Sequence, residues 1–407
     1  MTSFDKSKLK ILLLEGVHET GVEAFRRAGY ETVELRAGTV PEAELTDLVA
    51  DVHFLGIRSR TQLTEPVFAA AQKLVAVGAF CIGTDQIDLQ AAARRGVVVF
   101  NAPFSNTRSV AELVLAEAIL LLRDVPAKSA AAHRGVWAKS VGRAREVRGK
   151  TLGIVGYGSI GAQLSVLAEG LGMRVVFHDT AAKLSIGNAV PAVSLGDLLR
   201  QADVVTLHVP ETPETTGLIG ADEIALMRRG SVLLNASRGR VVDLAALAAA
   251  LESGHLAGAA VDVFPSEPRA TGDAFESPLR GLDCAILTPH VGGSTVEAQE
   301  NIGTEVAEKL VRYSDNGSTV TSVNFPEVSL PPHAGHHRIL HVHRNVPGVL
   351  AALNAVFSET GANVAAQTLQ TRGEVGYVVT DVDTASSDEA LAAVLRVPAT
   401  IRARVLF

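Results

Sequence analysis

The stretch from Thr151 to Asp179, TLGIVGYGSIGAQLSVLAEGLGMRVVFHD, constrains this chain more than any other. Its apolar run, Leu152 to Val155, reads as a buried parallel strand. Gly156, Gly158 and Gly161 follow as G-x-G-x-x-G and open a helical stretch with apolar Ile160, Leu164, Leu167, Ala168 and Leu171. A second strand, Arg174 to His178, ends at Asp179. Gly156 permits a tight turn, Gly158 lets the backbone approach a pyrophosphate, and Gly161 lets the helix pack on the strand. The helix N-terminus offers free N–H groups to the phosphates. Asp179 lies 23 positions after Gly156, where a carboxylate accepts hydrogen bonds from ribose hydroxyls. The same carboxylate repels the 2′-phosphate of NADP, so the expected cofactor is NAD.

A chain of 407 residues suggests two or three domains. Net charge is −7, which gives no global electrostatic case for nucleic acid or an anionic membrane. The most apolar helix, Val110 to Leu122, carries Glu112 and Glu117 and is too short to span a bilayer. Cys81 and Cys284 sit in apolar runs and read as reduced thiols of a cytoplasmic protein. His333, His336, His337, His341 and His343 have no cysteine or carboxylate cluster beside them, so no metal is expected.

Residues 10 to 104 alternate strand and helix signals, with strands at Ile11–Leu14, Thr32–Leu35, Phe54–Arg58, Leu74–Val77 and Val97–Phe100. This is a small parallel α/β unit without the glycine fingerprint. Asn106 to Arg134 reads as one long helical region, followed by a basic excursion to Lys150 that contains Trp137. Six strand candidates lie between Thr151 and His290, enough for a complete dinucleotide-binding domain. The helix from Glu297 to Tyr313 returns the chain to the first unit. Asp315 to Gly335 holds three prolines and reads as a linker. The last 70 residues run strand, helix, strand, strand, helix, strand, a ferredoxin-like order. The expected fold is α/β throughout. A Rossmann-type domain (106–294) is inserted in a smaller flavodoxin-like one (1–105 and 295–325). A linker (326–337) leads to the tail (338–407).

Arg238, Glu267 and His290 each follow a strand of the nucleotide domain, where ligands of open α/β sheets bind. The set suits oxidation of a 2-hydroxy acid. Arg238 would clamp the carboxylate, His290 would take the hydroxyl proton, and Glu267 would orient the imidazole.

The stretches EGVH, IRSRTQLT, CIGTDQIDL, FNAPFSNTRSVAELV, AHRGVW, GIVGYGSIG, NASRGRVVD, AGAAVDVFPSEP, TPHVGGST and HVHRNVPGVLAALN carry a resemblance across nearly the whole chain. The chain resembles the D-isomer-specific 2-hydroxyacid dehydrogenases, in their bacterial form with a C-terminal ACT domain. The resemblance implies oxidation of D-3-phosphoglycerate to 3-phosphohydroxypyruvate with NAD, the first step of phosphorylated L-serine synthesis. The resemblance also implies reduction of 2-oxoglutarate to 2-hydroxyglutarate as a side activity. It assigns catalysis to Arg238, Glu267 and His290, and further nucleotide contacts to Ser159, Ile160, Ala236, Ser237, Arg238, Asp262, Gly292 and Gly293. Asp262 would meet the nicotinamide carboxamide. The substrate phosphate calls for more positive charge: Arg58 and Arg60, which share a side of the third strand if it alternates, with Asn106, Arg108 and Lys139. The tail would hold L-serine through His343, Asn345 and Asn363 at an interface between two copies, and the assembly would be a homotetramer. Two other readings remain: another D-2-hydroxyacid dehydrogenase, or a non-enzymatic dinucleotide sensor of the corepressor type.

Overall fold

A computed structural model describes residues 5–268 and 272–407. It forms two compact units, Met1–Ser105 with Gln299–Phe407, and Asn106–Ala298.

The first unit opens with β1 (Lys10–Leu13), α1 (Glu19–Arg27), β2 (Thr32–Leu35), α2 (Glu42–Leu48), β3 (Phe54–Ile57), α3 (Glu65–Ala70), β4 (Ala76–Ala79), α4 (Leu89–Arg94) and β5 (Val98–Phe100). All strand pairs are parallel, in the order β2-β1-β3-β4-β5, the flavodoxin-like arrangement. Successive residues of a strand face opposite ways, so each strand feeds two cores. Ile11, Leu13, Phe54, Ala76 and Val98 join Phe25 and Tyr30 on one face. Leu12, Leu55, Val77 and Val99 join Leu45, Val67 and Phe68 on the other. The fourth strand starts later than expected because Leu74 closes a turn onto the Ala71 carbonyl.

The second unit contains α5 (Thr107–Leu122), α6 (Val125–His133), β6 (Thr151–Val155), α7 (Ser159–Gly170), β7 (Arg174–His178), β8 (Val190–Pro191), α8 (Leu195–Gln201), β9 (Val204–Leu207), α9 (Ala221–Leu226), β10 (Val232–Asn235), α10 (Leu244–Glu252), β11 (Gly258–Val261) and β12 (Ala285–Leu287). Its parallel sheet runs β12-β11-β10-β9-β6-β7-β8, with the order reversing between β6 and β9. That is the Rossmann arrangement, with seven strands among the described residues rather than the six expected. The extra strand, β8, is two residues long and includes Pro191, which an outer edge tolerates. The long helix expected from Asn106 is two helices. Asp124 takes φ +57 and breaks it, and Pro126 sits in the first turn of α6.

The chain returns through α11 (Val296–Asn316), which buries Ile302, Val306, Leu310 and Tyr313 at helical spacing against the first sheet. The tail forms β13 (His337–Arg344), α12 (Val349–Glu359), β14 (Val364–Arg372), β15 (Val375–Val382), α13 (Ser387–Val394) and β16 (Thr400–Leu406). Its antiparallel sheet runs β14-β15-β13-β16. One face packs under α12 and α13 through Ile339, Val378, Leu353 and Leu391.

The other face shares a core with the first sheet: Leu340, Val342, Tyr377 and Leu406 cluster with Leu310, Tyr313, Phe325 and Val328. The proline-bearing stretch is therefore free chain only in part. Thr319, Phe325 and Val328 are buried, and the Asn324 side chain bonds the main chain of Val97 and Val99 at the edge of β5. Exposure is concentrated at Pro331–His336. Composition marks such a stretch as a linker because its turn residues are polar, yet its few apolar residues are the ones the core takes up.

Arginines of the tail complete the join. Arg338 pairs bidentately with Asp381 (2.6 and 2.7 Å) and donates to the carbonyls of Asn316 and Pro331. Arg404 donates to the Tyr313 carbonyl and lies over its ring. Arg372 reaches the carbonyls of Ser322 and Phe325, and Arg402 that of Leu74. Two of these acceptors, the carbonyls of Tyr313 and Asn316, lie in the last turn of α11, where the helix dipole favours cations.

Candidate active site

The glycine turn of the second unit is shaped for a dinucleotide. Gly156 has φ +90, and a β-carbon there would lie 2.4 Å from the His208 carbonyl oxygen. Gly158 faces open space and caps α7 with no side-chain hydrogen bond, which leaves the first N–H groups of the helix available. A β-carbon on Gly161 would lie 2.4 Å from the Gly156 carbonyl. Ser159 and Ile160 form the first turn beside this opening. Asp179 is already oriented: its two oxygens accept from the N–H groups of Tyr157 (2.8 Å) and Ala181 (2.9 Å). An ionised carboxylate so held retains lone pairs for ribose hydroxyls. The cradle, the helix end and the acid fit NAD.

Arg238, Glu267 and His290 follow β10, β11 and β12. Asn235, the last residue of β10, accepts from Ser237 and donates to the Arg238 carbonyl (2.9 Å), which fixes the turn through Ala236 and Ser237. Glu267 accepts from the Phe264 N–H and meets His290 Nδ1 at 2.9 Å. Burial opposes ionisation of Glu267, but the hydrogen bond and charge of His290, with the Phe264 N–H and the charge of Arg238, together outweigh it and hold its pKa below the usual value. The Glu267 hydrogen bond in turn raises the pKa of His290. If Nδ1 donates to the carboxylate, Nε2 keeps its lone pair.

Asp262 organises the histidine loop. Its oxygens accept from Thr288 Oγ1 (2.6 Å) and the N–H groups of Val291 and Gly292 (both 2.8 Å), while its carbonyl accepts the His290 N–H. His290 itself takes φ +55, a left-handed conformation uncommon outside glycine. Behind Asp262 lies Glu117 of α5, whose pKa is pushed up to about 7, first by burial and then by the charge of Asp262. Asn106 caps α5 and packs against Gly293. Arg108 is engaged by Glu112, and Lys139 lies on the exposed excursion after α6.

In the first unit, β3 ends at Ile57, so Arg58 and Arg60 lie in a loop and not on an alternating strand. What shapes that loop is Glu15, to which the sequence alone assigns no role beyond its place in EGVH. Its buried carboxylate accepts the N–H groups of Arg58, Arg60 and Thr61. No local pattern announces this, because the partners are main-chain groups more than 40 positions away.

In the tail, His343 is buried, stacked on His341 with ring centroids 5.1 Å apart, and burial lowers its pKa. Asn345 bonds the Gly373 carbonyl at one end of the sheet. Asn363 bonds Asp383 through its N–H at the other end. They flank opposite ends of α12, whose 11 residues span about 16 Å. A single copy therefore does not bring the two asparagines to one small ligand.

Residues 115–292 match the family D-isomer specific 2-hydroxyacid dehydrogenase, NAD binding domain, and residues 339–402 match the AHAS small subunit-like ACT domain. Among solved structures, the TT0316 protein of Thermus thermophilus is 34% identical, with TM-score 0.67, covering 74% of this chain and 96% of that one. The D-lactate dehydrogenase of Aquifex aeolicus, complexed with NAD and lactic acid, is 26% identical, with TM-score 0.65, covering 75% and 95%. The chain belongs to the D-isomer-specific 2-hydroxyacid dehydrogenase family. Its relatives there include the D-3-phosphoglycerate dehydrogenase of Escherichia coli K12, 58% identical over 407 residues, covering 100% of this chain and 99% of that protein. The D-3-phosphoglycerate dehydrogenase of Haemophilus influenzae is 56% identical with the same coverage.

Proposed function

We propose that this protein oxidises the C2 hydroxyl of D-3-phosphoglycerate to 3-phosphohydroxypyruvate with NAD, the first step of phosphorylated L-serine synthesis in the cytoplasm. The observation that carries the chemistry is the His290–Glu267 pair beside Arg238 at adjacent strand ends. The relatives' shared name and their full-length identity support the substrate.

Arg238 binds the substrate carboxylate and polarises the C2 oxygen. His290 Nε2 takes the hydroxyl proton, and Glu267 stabilises the imidazolium that results. When bound, NAD supplies the ring that receives the hydride and both electrons from C2. Arg58 and Arg60 hold the phosphate, and Asn106 and Lys139 add polar contacts. The same residues allow 2-oxoglutarate to be reduced as a side reaction. The tail binds L-serine through His343 and Asn345 of one copy and Asn363 of another, within a homotetramer.

An absorbance assay of NADH consumption with 3-phosphohydroxypyruvate, with and without L-serine, tests this reading. Turnover suppressed by serine is expected. NADH binding without turnover would instead mark a dinucleotide sensor, and turnover insensitive to serine would remove the regulatory part alone.

A further inference from the structure

The geometry points to Glu15 as a positioning residue that gives the Arg58–Thr61 loop its preference for a phosphorylated substrate. This rests on the proposed role of Arg58 and Arg60 in holding the phosphate. Glu15 follows β1 in the left-handed region, with φ +61, and Gly16 follows with φ +62. The double turn is pinned on one side, where the N–H groups of Glu15 and Gly16 donate to the carbonyls of Gly38 and Arg36 beyond β2. It drives the Glu15 side chain, 1% exposed, under the loop after β3.

There Oε1 accepts the N–H groups of Thr61 (2.8 Å) and Arg58 (3.2 Å), and Oε2 accepts that of Arg60 (3.1 Å). Converging main-chain N–H groups of this kind form an anion-binding concavity. Here the anion is internal. An external phosphate is therefore left to the two guanidiniums, whose stems the loop fixes. Arg60 keeps its Nε 4.0 Å from Oε2, and Arg58 Nη1 reaches the Glu15 carbonyl at 3.5 Å. Bidentate guanidinium contacts depend on orientation, so a carboxylate that sets the loop sets the selectivity.

The test measures kcat and KM for 3-phosphohydroxypyruvate and for hydroxypyruvate, the same skeleton without phosphate, in the full-length enzyme. Wild type, Glu15→Gln, Glu15→Ala, Arg58→Ala and Arg60→Ala are compared. In Glu15→Ala the KM for 3-phosphohydroxypyruvate should rise about tenfold or more with little change in kcat, and the preference over hydroxypyruvate should fall in proportion. Glu15→Gln, which keeps one carbonyl acceptor, should fall between it and wild type. Wild-type preference in both Glu15 variants, or an equal loss of kcat on both substrates, would overturn the inference. If the arginine variants lose the preference while the Glu15 variants keep it, Glu15 alone is misassigned. If the arginine variants keep it too, the phosphate reading itself fails and takes this one with it.

Discussion

His290 holds its left-handed backbone because its N–H is tied to the Asp262 and Thr288 carbonyls and its ring to Glu267. His290→Ala should lower kcat about 10²- to 10⁴-fold while NADH affinity, measured by fluorescence titration, is kept. Glu267→Gln removes the main cause of the raised His290 pKa. The imidazole then loses its proton at lower pH, so the acid limb of the oxidation profile should move to lower pH. Glu117 makes a separate prediction. Its pKa is about 7 in the folded protein against 4.5 for an ordinary glutamate, so folding takes up a proton between those values and stability falls as pH rises through them. Glu117→Gln should therefore raise Tm at pH near 8 by an amount worth about 1–3 kcal/mol, and little at pH near 5. The three strand-end residues were legible in the sequence because each follows an apolar run of strand length. Glu15 and the loop-holding bonds of Asp262 were not, because their partners are main-chain N–H groups brought together only by the folded sheet.

At the scale of elements, the glycine turn, α7 and β7 were legible because each local preference agrees with the fold. The junction of α5 and α6 was not, since apolar helix-forming sequence on both sides hides one left-handed aspartate. Strand β8 was missed because two residues carry no alternation. The residue after β7 carries the proposed determinant of cofactor choice. Asp179 is held by Tyr157 and Ala181, so Asp179→Ala removes the ribose acceptor and its charge without emptying a core. Wild type should use NADH in preference to NADPH, and the variant should narrow that ratio of kcat/KM. A wild-type enzyme equally active with both would overturn the assignment.

For the whole molecule, the decisive feature is the core shared by the tail sheet and the first sheet. Asp381→Ala would leave Arg338 buried and unpaired, a change worth about 3–5 kcal/mol, which thermal unfolding should register. Asn363→Ala, on an exposed turn, should leave Tm unchanged and weaken serine inhibition. Sequence order alone could separate the tail as a unit, but not foresee that Phe325 and Val328 bind it to the rest. That union limits how the protein can be rebuilt. A foreign sensor grafted after Leu330 would inherit bare apolar side chains and carbonyls shaped for four arginines. Swaps that succeed should carry the face of β13, β15 and β16 with them, so the exchangeable cassette is the helical side of the tail and not the tail itself.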